Sequence, residues 1–257
     1  MSTPAIPTAV ILAAGRGTRL ADHVQDYPKG FLRLGEIPII EESIDRLVDA
    51  GIEDVIIVTG HCAGHYNELA KRRTGLVRVV HNERYADSGS MYSLWCARDL
   101  VQKPFLLLES DLVYEPLALQ CLLDEPAADA VLLSGPTQAG DEVYVEVHDG
   151  CLRDMSKQAA ALGKSPAGEL VGISKISVEL FRLMCAIAGR AFATTLRVDY
   201  ETDCLVAAGR ERAIACPVVA DLVWGEIDDP SHLARVQGTV YPEILRRSSA
   251  SVAVPVQ

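Results

Sequence analysis

Short apolar segments alternate with segments of helical periodicity along the first half of the chain, and this alternation restricts the fold more than any other feature. Residues 8–13, 54–59 and 105–109 are apolar almost throughout, as expected of strands that are buried on both faces. Residues 39–50 have helical spacing, and Gly51 follows where a glycine commonly ends a helix. The sequence therefore predicts an α/β fold, a three-layer sandwich around a mixed, mainly parallel sheet.

The second half of the chain contains more strand-like segments than the first half. Asp149-Gly150 lies between two of them and predicts a tight hairpin. Neither a repeat nor a linker interrupts the pattern, so we predict one domain over residues 1–247 and a disordered tail over residues 248–257. The predicted strands of this half cover residues 130–134, 142–147, 151–155 and 170–176.

Composition and charge exclude several classes of function. The formal net charge of -11 argues against a nucleic-acid-binding surface, which requires a basic patch, but it leaves room for a single nucleotide site. The N-terminus lacks the pattern of a signal peptide, and no apolar run approaches the roughly 20 residues that cross a bilayer. The seven cysteines are scattered, without the spacing of a zinc site or a disulfide framework. We expect a cytoplasmic protein that binds neither nucleic acid nor membrane.

A glycine-bearing loop follows the first predicted strand, over residues 12–20. Gly15 and Gly17 allow a tight turn whose N–H groups can contact phosphate oxygens, and Arg16 and Arg19 add positive charge. The loop is not a dinucleotide-binding fingerprint, because Leu20 stands where the third glycine would be. Nor does it have the GxxxxGK[ST] pattern of a Walker A loop. By itself, the loop is equally compatible with a simple strand-to-loop turn.

Acidic residues follow two predicted strands. Asp111 comes directly after the strand over residues 105–109, where open α/β sheets bind ligands. Glu226 and Asp228 are two positions apart, so on a strand both side chains point to the same side. These three carboxylates can together hold a metal ion, whereas Asp229, before Pro230, has the position of a helix cap.

Several motifs together resemble those of the nucleotidyltransferases with a glycosyltransferase-A-like fold. Residues 12–20, followed by PKGFLRLG at 28–35, match the LAAGxGxRL…PKxLxxxxG signature of that family. Glu109-Ser110-Asp111 is similar to its central acidic motif, and Glu226-Ile227-Asp228 to the E-I-D motif of its phosphocholine and 2-aminoethylphosphonate cytidylyltransferase branch. Residues 81–95 resemble the NxxYxxxxNxxSL segment of the same branch, but Ser90 replaces the usual asparagine.

The resemblance implies a nucleotide-diphospho-sugar transferase-like fold and an Mg²⁺-dependent cytidylyltransferase. Lys29 matches the lysine that contacts the α-phosphate, and Arg16 and Asp111 complete the predicted catalytic set. The first half of the domain, to about residue 130, would bind CTP, and the second half would bind the acceptor and complete the metal site. The predicted Mg²⁺ ligands are Asp111, Glu226 and Asp228. The predicted nucleotide-binding residues are Leu12, Ala13, Ala14, Gly15, Gly17, Thr18, Arg19, Asp87, Ser88 and Ser90.

The acceptor implied by the resemblance is a small phosphonate or phosphate. Lys157 would pair with its phosphorus-bound oxygens and Glu169 with a cationic amine, and Tyr144 is an aromatic candidate beside them. Only 5% of the residues are aromatic, which favours a primary amine such as 2-aminoethylphosphonate over phosphocholine. A sugar-1-phosphate nucleotidyltransferase and a non-catalytic nucleotide-binding regulatory protein stay open as alternatives, and a homodimer is compatible with the sequence.

Overall fold

The computed structural model of the protein describes residues 6–20 and 27–252. In this part of the chain the strands are β1 Thr8–Ala13, β2 Asp54–Thr59, β3 Val77–His81, β4 Phe105–Glu109, β5 Leu112–Tyr114, β6 Ala130–Ser134, β7 Tyr144–His148, β8 Cys151–Ser156, β9 Gly168–Ile176, β10 Val218–Val219 and β11 Trp224–Glu226. The α-helices are α1 Ile39–Asp49, α2 Ala63–Arg72, α3 Ser90–Cys96, α4 Leu117–Asp124, α5 Val178–Ala191, α6 Val206–Gly209, α7 Pro230–Arg235 and α8 Tyr241–Val252. Two π-helical turns, Tyr200–Leu205 and Val236–Val240, lead into α6 and α8.

The central sheet is mixed, with strand order β10-β6-β9-β4-β1-β2-β3. β1 is parallel to both β2 and β4, whereas β9 runs antiparallel to β4 and β6. The β7–β8 hairpin attaches to β9, and Asp149 and Gly150 both have positive φ at its turn. β5 and β11 form a separate antiparallel pair beside the carboxyl end of β4. The predicted mainly parallel sheet and its hairpin are therefore confirmed.

The alternation of side chains along β1 divides the interior into two cores. Val10 and Leu12 point into one core and Ala9 and Ile11 into the other, and all four are buried. Burial of a valine, leucine or isoleucine contributes about 1.5–3 kcal/mol each, so the sheet is stabilised from both sides. This two-sided burial confirms the predicted three-layer sandwich.

A smaller third core ties the C-terminal helices to the β5–β11 pair. Val113 and Ile227 pack there against Val236, Val240 and Ile244 from the last helical segments. Leu20, after the glycine loop, belongs to the same cluster. This core therefore anchors the two chain segments that carry the late acidic residues and the glycine loop.

The structure differs from the sequence-based predictions in two places. α2 was not predicted, because only Tyr66 and Leu69 of its residues are buried and no side chain caps its N-terminus. The predicted disordered tail from residue 248 is wrong for residues 248–252, because α8 continues to Val252. Residues 253–257 lie outside the described part of the chain.

Candidate active site

A cleft of about 350 Å³ lies at the carboxyl ends of β1 and β4. These parallel neighbours end at the same edge of the sheet, and the N–H of Ser110 donates to the carbonyl of Leu12 at 3.0 Å. The glycine loop after β1 and the acidic segment after β4 are therefore adjacent. Ligands bind at this edge in open α/β sheets, so the cleft is the candidate active site.

The glycine loop forms one wall of the cleft. Residues 12–15 and Arg19 line it, whereas Arg16, Gly17 and Thr18 lie outside the lining. Gly17 has a φ of 61°, and the N–H of Leu20 donates to its carbonyl at 3.0 Å, which closes the turn. The loop thus presents its first half to the cleft and exposes Arg16 to solvent.

Lys29 extends into the cleft between two carboxylates. Its Nζ donates to Asp111 and, at 2.6 Å, to Oδ1 of Asp228. Burial by itself lowers the pKa of Lys29, but the charges of Asp111 and Asp228 outweigh it and raise the pKa well above its ordinary value. Lys29 is therefore a permanent ammonium at the centre of the site.

Gly30 allows the Lys29 segment to approach the strand end. A Cβ at Gly30 would lie 2.9 Å from the backbone oxygen of Ser110 and 3.1 Å from the hydroxyl of Tyr66. Only glycine fits this approach without a shift of the backbone. The residue after the lysine thus helps to place the ammonium group beside Asp111.

Three carboxylates, those of Glu109, Asp111 and Glu226, converge beside Lys29. One oxygen of each lies within 4.8 Å of the others. The backbone brings them together: Glu226 is opposite Leu112 in the β5–β11 pair, and the N–H of Ile227 donates to the carbonyl of Asp111 at 3.2 Å. Burial, together with the neighbouring negative charges, raises the pKa of Glu226 to about 11 and that of Glu109 well above its ordinary value. A cation bound among these buried carboxylates would be stabilised by their negative charges.

Asp228 belongs to a different set of contacts from the one predicted. Besides Lys29, it accepts from Nη2 of Arg19 at 2.7 Å. Burial raises its pKa, but Lys29, with Arg19, lowers it well below its usual range. Asp228 thus pairs with both cations and lies in a second group of possible metal ligands with Asp141 and His232, whereas Glu109 lies beside Asp111 and Glu226. The metal role of Asp228 stays a prediction.

A loop between β6 and β7 closes one side of the cleft and is fixed to α7. His232 Nε2 lies 3.2 Å from the carbonyl of Ala139 and 3.4 Å from Oδ1 of Asp141. Burial raises the pKa of Asp141, which also lies 4.0 Å from Arg19. These contacts link the loop to both Arg19 and α7.

The segment that follows β3 forms the opposite wall. The buried amide of Asn82 donates to Oγ of both Ser88 and Ser93 at 3.0 Å, and its oxygen accepts from the N–H of Arg84 at 2.8 Å. Ser88, predicted to bind nucleotide, lines the cleft. The predicted Asp87 does not, and instead pairs with Arg84 at 2.5 Å on the surface.

Ser90, where this chain departs from the family pattern, also lines the cleft. Its Oγ accepts from the N–H of Tyr200 at 3.0 Å and donates to Oδ1 of Asp199 at 3.4 Å. The serine thus joins the first turn of α3 to the π-helical turn that follows residue 199.

The three predicted acceptor-binding residues lie in two separate places. Lys157 lines the cleft, as expected. Glu169 and Tyr144 instead border a neighbouring depression of about 360 Å³. Glu169 is buried, and its Oε2 accepts from the N–H and the hydroxyl of Thr137 at 2.8 and 2.7 Å, so this carboxylate holds a loop in place. The prediction that Glu169 and Tyr144 reach the main cleft is not supported by this geometry.

Sequence reasoning gave no site role to several residues that line the cleft, namely Glu109, Asp141, Asp199, Glu201, Thr202 and Arg235. Glu109 had a detectable signal, because it is two positions from Asp111 at the end of a strand. Glu201 and Thr202 had none, since a π-helical turn presents side chains with neither the helical nor the strand period.

Within the described residues, no helix combines the length and apolar character needed to cross a membrane.

Comparison with known proteins assigns the chain to a family. A family model of the MobA-like NTP transferase domain matches residues 9–172, which include the glycine loop, Lys29 and Asp111. The CMP-5'-(3-aminopropyl)phosphonate synthase of Streptomyces rubellomurinus is 30% identical over 248 residues, which cover 89% of this chain and 38% of that relative. The choline-phosphate cytidylyltransferase of Streptococcus pneumoniae is 36% identical over 99 residues, 38% of this chain and 42% of that relative. The chain thus spans less than half the length of these relatives.

The fold is shared with solved nucleotidyltransferase structures. The inositol-1-phosphate CTP transferase from T. maritima superposes with a TM-score of 0.80 at 18% identity, over 99% of this chain and 100% of that chain. This similarity confirms the predicted nucleotide-diphospho-sugar transferase-like fold, and the sequence relatives confirm the resemblance to cytidylyltransferases. By the match over residues 9–172, the chain belongs to the family of MobA-like NTP transferase domains.

Proposed function

We propose that the chain is a cytidylyltransferase, which transfers CMP from CTP to a small phosphonate or phosphate acceptor and releases pyrophosphate with the help of Mg²⁺. The favoured acceptor is 2-aminoethylphosphonate, followed by phosphocholine. The observation that carries the proposal is the position of Lys29, which extends between Asp111 and Asp228 directly beside the glycine loop. A buried ammonium group at this place suits nucleotidyl transfer, where catalysis depends on positioning and on stabilisation of negative charge.

The acidic group fits a divalent cation. Glu109, Asp111 and Glu226 offer oxygen ligands within 4.8 Å of one another, and oxygen is the ligand that Mg²⁺ prefers. Burial, together with repulsion from neighbouring carboxylates, raises the pKa values of Glu109 and Glu226, and a bound cation would offset both effects. We infer that Asp111 and Glu226, with Glu109, would hold Mg²⁺, and that Asp228 would position Lys29 and Arg19 beside it. Bound there, the ion would neutralise charge on the phosphates of the nucleotide.

The nucleotide is assigned to the walls formed by the glycine loop and the segment after β3. Residues 12–15 offer backbone groups and Arg19 a guanidinium, while Ser88 and Ser90 add hydroxyls. Cytosine as the base is supported by the relatives, which include a choline-phosphate cytidylyltransferase.

The proposed reaction is a displacement at the α-phosphorus of CTP. An oxygen of the acceptor's phosphonate or phosphate forms a bond to the α-phosphorus of CTP, and the bond from that phosphorus to the bridging oxygen breaks. Pyrophosphate leaves with the bonding electrons. The acceptor oxygen is already an anion at neutral pH, so no general base is required, and Lys29 stabilises the charge that develops at the α-phosphate.

An acceptor that carries an amine fits the acidic side of the cleft. Asp199 and Glu201 line it together with Lys157, so carboxylates stand near a cation that can pair with a phosphonate. A zwitterionic acceptor offers an ammonium group to Asp199 and Glu201 and an oxyanion to Lys157. A relative whose match covers 89% of this chain is named for an aminopropylphosphonate, which is an acceptor of this kind.

Pyrophosphate release tests the proposal. The purified chain would be mixed with Mg²⁺ and each of the common nucleoside triphosphates, paired with 2-aminoethylphosphonate, phosphocholine, inositol phosphate or glucose-1-phosphate. We expect release only with CTP and an amine-bearing acceptor, and loss of release in Asp111→Ala. Release only with glucose-1-phosphate would replace the proposal by a sugar-1-phosphate nucleotidyltransferase. Nucleotide binding without release from any pair would indicate a non-catalytic binding protein.

A further inference from the structure

Arg235, the last residue of α7, lines the cleft and forms no salt bridge within the described part of the chain. Its Nε is buried and has no hydrogen-bond partner in the described part of the chain. Arg19 and Lys29, by contrast, are both paired with Asp228. Buried polar groups in proteins are usually satisfied, so an orphaned donor of this kind points to a partner that arrives from outside.

Gly225 provides the space that the guanidinium occupies. A Cβ at this position would lie 3.1 Å from Nη2 of Arg235 and 2.9 Å from Cγ2 of Val236. Gly225 is the middle residue of β11, where a strand ordinarily favours a β-branched or aromatic residue. A glycine inside a strand often marks close approach of another group, and here that group is Arg235. Arg235 also lines the cleft.

The chemistry of the side chain defines its ligand. A guanidinium stays charged at all ordinary pH values and presents a planar fork of donors that matches phosphate and phosphonate oxygens. Carboxylates outnumber cations in the cleft lining, and Arg19 and Lys29 are already shared with Asp228. An anionic ligand therefore needs a cation that is not yet in a salt bridge, and in the described lining Lys157 and Arg235 are of this kind.

We propose that Arg235 binds a phosphoryl-type oxyanion in the cleft through its guanidinium fork. In the terms of the proposed function, on which the identity of the ligand rests, this oxyanion belongs either to the triphosphate of CTP or to the phosphonate of the acceptor. Both offer the same chemistry to the fork, and the binding experiment distinguishes them.

Isothermal titration calorimetry with the full chain and Mg²⁺ tests the proposal. Wild type, Arg235→Gln and Arg235→Lys would each be titrated with CTP, inorganic pyrophosphate and 2-aminoethylphosphonate. We expect Arg235→Gln to weaken one class of ligand by about 10- to 100-fold, the range of a charge-assisted bidentate contact, and Arg235→Lys to restore part of the loss. If Arg235→Gln loses affinity for CTP and pyrophosphate, Arg235 binds the triphosphate. If it loses affinity for 2-aminoethylphosphonate alone, Arg235 binds the phosphonate of the acceptor. Arg182→Gln, an exposed arginine of α5 outside the cleft lining, is the matched control.

A second measurement covers the case in which Arg235→Gln does not fold. The Nε–H resonance of Arg235 in the wild type, identified by its absence in Arg235→Lys, should shift when the oxyanion is added. Unchanged affinities in a folded Arg235→Gln, or a resonance that none of the three ligands moves, would overturn the proposal. Binding is measured without turnover, so a wild type that binds these ligands yet releases no pyrophosphate rejects the proposed reaction and leaves this test intact.

Discussion

Lys29 and Asp228 are 199 positions apart in the sequence, yet Nζ of one donates to Oδ1 of the other at 2.6 Å. The contact joins the segment after the glycine loop to the end of the β5–β11 pair. Asp228 also holds Arg19 at 2.7 Å, so one carboxylate sets the position of two cations in the cleft.

Lys29→Met should lower kcat for pyrophosphate release by roughly 100- to 1,000-fold, the cost of removing one preorganised group that stabilises developing charge. Affinity for CTP, measured by calorimetry, should change much less, because other cations of the cleft lining would still contact the phosphates. Lys71→Met is the matched control: this exposed lysine of α2 pairs with Glu68 at 2.6 Å on the surface. A kcat within a few-fold of wild type would contradict the role given to Lys29.

Glu226→Gln should weaken the binding of Mn²⁺, a paramagnetic substitute for Mg²⁺, by about 10- to 100-fold. Loss of an outer-shell partner of a metal ligand already costs this much, and loss of the ligand itself should cost no less. Electron paramagnetic resonance of the free ion would measure this without reference to turnover. Glu211→Gln removes the same charge from an exposed position outside the cleft. Equal Mn²⁺ affinity in the two variants would contradict the placement of Glu226 at the metal.

Gly30→Ala should reduce both stability and activity. The new methyl group would lie 2.9 Å from the backbone oxygen of Ser110, and relief of this contact would cost about 1–3 kcal/mol and displace Lys29. Urea denaturation and kcat would be measured together. Gly64→Ala serves as the control, because its Cβ meets nothing within 4 Å in α2, where alanine should raise stability by roughly 0.5–1 kcal/mol. A fully active and stable Gly30→Ala would show that the close approach is unimportant.

Asn82→Ala should lower the free energy of unfolding by about 2–4 kcal/mol, because the buried amide makes three hydrogen bonds within the wall after β3. The same change should raise KM for CTP, since Ser88 loses the donor that positions it. The exposed Asn67→Ala on α2 provides the comparison. Chemical denaturation and steady-state kinetics would measure the two effects, and a change in KM without a change in stability would indicate direct contact with the nucleotide.

The residue pattern of this chain predicts its sheet well. β1, β2, β4 and β6 occur at the predicted residues, because a strand buried on both faces must be apolar at every position and few other structures require that. Asp111 and the E-I-D segment lie at the ends of predicted strands, and motif resemblance then gave them a role. Lys29, far from any strand end in the sequence, was found through motif resemblance alone. α2 escaped prediction because only part of one face is buried.

By itself, the sequence determined the layered α/β fold, the strand ends that carry the site and the identity of its central lysine. Only the tertiary structure decided which carboxylate meets which cation. The register of the β5–β11 pair places Glu226 beside Asp111 and Glu109, and leaves Asp228 to hold Lys29 and Arg19. The tertiary structure also turned Glu169 toward Thr137 and brought Arg235 to the cleft. The physical reason is that burial and charge pairing depend on distances between segments far apart in the chain, which packing sets and local pattern does not record.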